Sequence, residues 1–131
     1  IKHMLCNRMD VSKSRIGVLG VTFNENCPDI RNSKIVAVIN ELKSWGAEVV
    51  IADPWADPAE VAHEYGLQFD ALDAQHPVAA LVVAVGHHEY RNMPLRELRA
   101  LCRGSQPVLV DVKSLFSRAD ASAAGFTVFR L

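Results

Sequence analysis

The sequence predicts a doubly wound α/β domain, a mainly parallel Rossmann-like sheet with helices on both faces, and three observations predict it. Short apolar runs such as Ile16–Leu19 and Ala79–Val85 are continuous rather than alternating, as suits central parallel strands buried on both sides. Between the runs lie stretches with helical periodicity, so strands alternate with helices, and parallel neighbours need such crossovers. The length of 131 residues suits one domain with its own core.

Taken in order, residues 1–9 place Met4, Leu5, Arg8 and Met9 at helical spacing and read as the end of a helix, and 10–15 form a polar link. The first strand, Ile16–Leu19, is followed by a long polar loop containing Gly20 and Pro28. A helix is expected from about Asn32 to Trp45, with Ile35, Val38, Ile39, Leu42 and Trp45 in one apolar stripe. Asn32 or Ser33 can cap it and Gly46 stops it. Glu48–Ala52 is a second strand closed by Asp53-Pro54; Pro58–Tyr65 is an acidic helix ended by Gly66, and Leu67–Phe69 a minor strand. After the central strand Ala79–Val85 come a helix over Pro94–Cys102, a strand over Pro107–Val110 ending in Asp111, a short helix over Ser117–Ala124 and a last strand over Thr127–Phe129.

Half of the chain is apolar, which excludes a disordered protein, and a net charge of −1 gives no general drive toward nucleic acid or membrane. The charge is uneven. Residues 1–34 carry six basic and three acidic side chains, whereas 41–73 carry eight acids against Lys43 alone. A basic N-terminal loop beside an acidic flank fits one localised anion site. Cys6, Cys27 and Cys102 form no CxxC pair and have no zinc-like spacing, so they read as reduced thiols of a cytoplasmic protein. No signal peptide is read at the start, and the absence of an initiator methionine reads as a piece of a longer protein.

Ligands of parallel sheets bind beyond the carboxyl ends of the strands, where three loops carry chemistry: 21–31, 86–92 and 111–116. In the first, Arg31 opens a helix. A cation is disfavoured there by the helix dipole unless an anion is present, so an anion-binding role outweighs that of a solvated surface arginine. Phe23 either packs under the loop or lies over a base or sugar. Position alone does not separate Lys113 as a ligand from a surface lysine. Gly17 and Gly20 do not complete a GxGxxG fingerprint, so Asp53 reads as a turn or cap residue and not a ribose ligand. Asp111 reads as a loop cap and Cys27 as a small packing residue. With no paired carboxylate or cysteine nearby in sequence, His87 and His88 read as rim residues rather than a metal or general-base pair. A receiver-type α/β fold is disfavoured because the first strand lacks an acidic pair for Mg²⁺.

GVLGVTFNENCPDIRNSK, ADPWAD, LVVAVGHHEY and DVKSLF, in this order, resemble the C-terminal domain of the UDP-glucose/GDP-mannose dehydrogenase family, and most closely its bacterial members that oxidise UDP-N-acetylhexosamines for surface polysaccharides. The resemblance covers nearly the whole chain. It implies that 1–10 are the end of an inter-domain helix and 11–131 the UDP-binding domain. It further implies an intact NAD-dependent oxidoreductase, a cytoplasmic homodimer whose N-terminal domain holds NAD and supplies the catalytic cysteine and lysine; this piece alone would be inactive and hold no catalytic residue. Phe23 and Asn24 resemble the family's Phe-Lys pair on the nucleotide sugar, with asparagine standing where lysine is usual. Arg31 resembles the arginine that reaches the NAD phosphates, and Lys113 the basic residue that contacts substrate. Nucleic acid, membrane and metal are not implied. A stand-alone nucleotide-sugar-binding or assembly module is the alternative, slightly favoured by Asn24.

Overall fold

The structure, a computed structural model, describes residues 14–22, 26, 28–30, 35–69, 73, 75–104 and 107–130. Its elements are β1 (Arg15–Leu19), α1 (Ile35–Ser44), β2 (Glu48–Ala52), α2 (Pro58–Tyr65), β3 (Ala80–Val83), α3 (His88–Arg91), α4 (Leu95–Ala100), β4 (Val108–Asp111), α5 (Arg118–Ala123) and β5 (Thr127–Arg130). The five strands form one all-parallel sheet in the order β2-β1-β3-β4-β5. The chain therefore runs outward from β1 to β2, then returns past β1 to β3. That reversal is a topological switch point, and it lies between β1 and β3.

Alternation within the strands divides the core into two layers. Ile16, Val18, Ala80, Val82 and Val108 pack with Ile39 and Leu42 of α1 and Val61 of α2. Leu19, Leu81, Val83 and Leu109 pack on the other face with Tyr90, Leu98 of α4 and Ala121 of α5. Burial on both faces is why these strands read as unbroken apolar runs. α2 is fixed at both ends: the Asp57 carboxylate accepts from Ala59 N–H, and Gly66 takes the left-handed conformation at φ +67°.

Most expected elements are present, with edges shifted by a residue or two. Three differ in substance. The α1 stripe is narrower than its period suggested: Ile39 and Leu42 are buried, but Val38 and Trp45 are 44% and 48% exposed. Trp45 instead donates its indole N–H to Glu41, 3.1 Å away. The expected strand over Leu67–Phe69 is reduced to one bridge, Phe69 with Ile51. The four-residue helix α3 was not anticipated. The expected helix over residues 1–9, the capping pair Asn32 and Ser33, and Cys6 and Cys27 lie outside the described residues. Among those residues no helix is long and apolar enough to cross a membrane.

Cys102 is buried beside α4 and contacts the Leu98 carbonyl at 3.6 Å. Burial pushes its thiol up to about 12, against the opposing charge of Arg99. A thiol raised above its ordinary value of about 8.5 stays neutral in the fold. Its contribution to stability is complete below that value and is lost as pH rises toward 12. Iodoacetamide at pH 8 is accordingly expected to modify Cys102 only after denaturation, as read by peptide mass; labelling of the native chain at a free-thiol rate would contradict this.

Candidate functional site

The sheet register builds one straight rim. Leu19 pairs with Ala52 and with Val83, and Val83 pairs with Asp111, so four strands end at one level. The ladder continues one step beyond, through Gly20 N–H to Ala52 (2.9 Å), Ala84 N–H to Leu19 (2.9 Å) and Val112 N–H to Val83 (3.1 Å). The loops after β1, β2, β3 and β4 thus leave the sheet side by side, the arrangement in which parallel sheets receive ligands.

Asp53 leads out of β2 and is only 7% exposed. One carboxylate oxygen accepts from Val21 N–H (2.7 Å) and Thr22 N–H (3.2 Å) of the β1 loop. The other accepts from Trp55 N–H (2.8 Å) and Ala56 N–H (3.2 Å). The expected turn residue is therefore also a clamp between two loops. His87, wholly buried, adds a fifth contact: its Nε2 lies 3.1 Å from the carboxylate and 3.0 Å from Thr22 Oγ1. On the opposite side of the ring, Asn26 N–H donates to Nδ1 at 2.8 Å. The carboxylate that meets His87 arrives from 34 residues away, so no local pattern in the sequence marks it. The ring is wholly buried with both nitrogens hydrogen-bonded, deeper than the rim position the sequence suggested.

His88 stands on the exposed rim. Its N–H donates to Asn26 Oδ1 (2.8 Å), and Nε2 pairs with Glu89 at 3.0 Å. Glu89 also accepts from the Trp55 indole at 3.0 Å, and Trp55 stacks on His87 with centroids 6.1 Å apart. Tyr90 donates to the Ala52 carbonyl at 3.0 Å. Burial, helped by the charges of Asp53 and Glu89, holds its hydroxyl far above the ordinary range, so it remains a donor. Among the described residues no cluster of His, Cys, Asp and Glu suits a metal.

Lys113 is exposed on the turn that follows β4. The turn is set by Asp111, fully buried, which accepts from Leu115 N–H and Phe116 N–H, both at 2.9 Å. Asp111 is the loop cap the sequence suggested, and it presents Lys113 on the same rim as the β1 and β3 loops. Phe23, Asn24 and Arg31 lie outside the described residues, between or beyond Thr22 and Asn26, which are held. Thr22, Asn26 and Trp55 were missed by sequence reasoning; the one available signal was that each lies just past a strand end.

A cavity of about 550 Å³ opens beside the rim, on the sheet face lined by Leu19, Ala52, Phe69, Tyr90, Met93 and Leu101. Asp53, Glu89 and Glu97 are its carboxylates. An apolar floor with acidic groups does not suit a diphosphate. At the described start of the β1 loop Gly20 is closed against Val85, and the sequence there lacks the third glycine of a dinucleotide fingerprint.

Comparison with known proteins agrees with this geometry. Residues 17–118 match the model of the UDP-glucose/GDP-mannose dehydrogenase family, UDP binding domain. The chain is 40% identical over 114 residues to a UDP-N-acetyl-D-glucosamine 6-dehydrogenase of Salmonella typhi, covering 86% of the chain and 26% of that protein. It is 36% identical over 115 residues to a UDP-N-acetyl-D-glucosamine 6-dehydrogenase of Pseudomonas aeruginosa, covering 88% of the chain and 27% of the relative. The chain thus spans about a quarter of the length of these relatives. The NDP-N-acetyl-D-galactosaminuronic acid dehydrogenase from Methanosarcina mazei shares the fold, with a TM-score of 0.85 at 18% identity over 98% of this chain and 26% of that one. A strand order reversing between β1 and β3, a rim of loops at that reversal and a matched family model over most of the chain lead to one assignment: the chain belongs to the UDP-glucose/GDP-mannose dehydrogenase family, as its UDP-binding domain.

Proposed function

We propose that this chain binds the UDP part of a UDP-sugar within an NAD-dependent nucleotide-sugar 6-dehydrogenase, whose remaining residues lie outside it. The observation that carries the reading is the family match over 17–118, which spans the whole rim from Val21 to Lys113. The complete reaction would convert the sugar C6 alcohol and one water to a carboxylate, with two NAD accepting the two hydrides. Within it, Lys113 holds substrate phosphate as a point charge from a turn fixed by Asp111. Phe23 and Asn24 contact the nucleotide sugar, Asn24 by hydrogen bonds without the charge of a lysine. Arg31 reaches the NAD phosphates from the domain edge. The nucleophile and the dinucleotide fingerprint belong to the N-terminal domain, so this chain alone is expected to reduce no NAD. A cytoplasmic homodimer is part of the same reading.

Calorimetric titration with UDP, with UMP and GDP as controls, tests it. Saturable UDP binding is expected, weakened about five- to tenfold by Lys113→Ala, the loss of one charge-assisted phosphate contact. Unfolding of that variant should match the unsubstituted chain, because Lys113 is exposed. No UDP binding at millimolar concentration, or equal binding by the variant, would count against the role given to this rim. Asn24 gives some support to a second reading, a binding module without activity. An upstream GxGxxG and cysteine motif in the full reading frame would exclude it.

A further inference from the structure

Trp55 follows Asp53-Pro54 at the end of β2, on the rim that carries Lys113 after β4. Its backbone N–H donates to the Asp53 carboxylate at 2.8 Å, and its indole N–H donates to Glu89 at 3.0 Å. Its ring stacks on the buried His87, with centroids 6.1 Å apart and planes at 28°, and meets His88 edge-on at 5.8 Å. Yet Trp55 is only half-buried. A large aromatic side chain that is held through its backbone, its nitrogen and its ring, and that still reaches solvent at the strand ends, loses little freedom when a flat group settles on it. Nucleobases stack on such rings whatever hydrogen-bonding edge they carry. The charges add a direction. Glu89 beside the indole repels phosphate, whereas Lys113 attracts it. The ends of β2 and β4 are level in the register and three strand spacings apart, about 14 Å. A nucleoside diphosphate together with the two side chains can fill that span.

We infer that Trp55 is the platform on which the base of the nucleotide stacks, with the diphosphate directed away from Glu89 toward Lys113. The inference rests on the reading of this rim as the UDP site. Within it, Asp53, Glu89 and His87 touch no ligand; they hold the indole in place.

The chain has two tryptophans, and Trp45 lies at the opposite end of β2, so Trp45→Phe leaves Trp55 as the one indole reporter. Titration of that 131-residue variant with UDP is expected to quench the remaining emission. It should also move the uracil H5 and H6 proton resonances upfield, the mark of a base lying over an aromatic face. Trp55→Leu keeps apolar bulk against His87 but offers no ring. It should abolish the upfield shift and weaken UDP binding about tenfold, with Trp55→Phe in between. Lys113→Ala should weaken binding as well but keep the upfield shift at saturation. A purely structural role for Trp55 predicts instead that affinity follows the urea midpoint and that the uracil protons do not move. UDP bound by the Trp45→Phe variant with unmoved uracil protons would overturn the inference and leave the UDP reading standing, as would undiminished affinity in a folded Trp55→Leu variant. If Trp55→Leu does not fold, the proton shifts decide alone. Absence of UDP binding by the unsubstituted chain at millimolar concentration would overturn the UDP reading, and the inference with it.

Discussion

Asp53→Ala is expected to lower the stability of the domain by about 3–5 kcal/mol, a large fraction of what a domain of this size possesses. The carboxylate accepts from four backbone N–H groups and faces His87 Nε2, all in a setting where Asp53 is 7% exposed. Alanine leaves these donors without an acceptor and with little access to water. A buried donor that loses its partner costs about 1–3 kcal/mol. The full sum is not expected, because the loops after β1 and β2 can move apart and admit water. Asp53→Asn retains the shape and one acceptor oxygen but turns an NH₂ toward N–H donors, so an intermediate loss of about 2–3 kcal/mol should follow. Urea unfolding of the three chains measures both. An alanine variant within about 1 kcal/mol of the parent would show that the loops are held by other contacts.

The strands were legible because burial on both faces leaves an unmistakable mark: Leu81 and Val83 go to one layer, Ala80 and Val82 to the other, and none of the four is polar. The helices were legible to within a turn. Their exposed sides were not, since Val38 and Trp45 obey the period of α1 and yet lie beyond the edge of what the sheet covers. The four-residue α3 is too short for any period to register. At the rim the sequence located the loops, and it gave Asp111 its role because that role is local: the carboxylate binds N–H groups four and five residues on. The Asp53–His87–Asn26 network escaped for the opposite reason. Its contacts join residues 31 to 61 positions apart, and no local pattern encodes which strand ends become neighbours. Only the strand order, with β3 returning beside β1, brings them together.

That return also leaves Gly20 no room for a side chain, and Gly20→Ala is expected to cost about 3 kcal/mol or more. Its φ of +104° is one that side chains rarely adopt. A Cβ there would lie 2.7 Å from Val85 Cβ and 2.9 Å from Val85 N, so backbone as well as side chain must shift. The neighbours of Gly20 are not idle: Val21 N–H and Thr22 N–H reach Asp53 from the next two positions, and any displacement of the β1 loop from the β3 loop strains those bonds too. Gly66→Ala is the appropriate control. Gly66 also has positive φ, at +67°, but a Cβ there meets nothing within 4 Å, so only the conformational cost of about 1 kcal/mol applies. The difference between the two midpoints in urea measures the close approach of the two loops, free of the backbone term they share in kind. Val85→Ala added to Gly20→Ala should recover only part of the loss, because Cβ and the main-chain nitrogen remain in the way. Full recovery would mean that the loops can separate at no cost to the fold, and equal losses for Gly20→Ala and Gly66→Ala would mean that the contact with Val85 does not constrain the switch point.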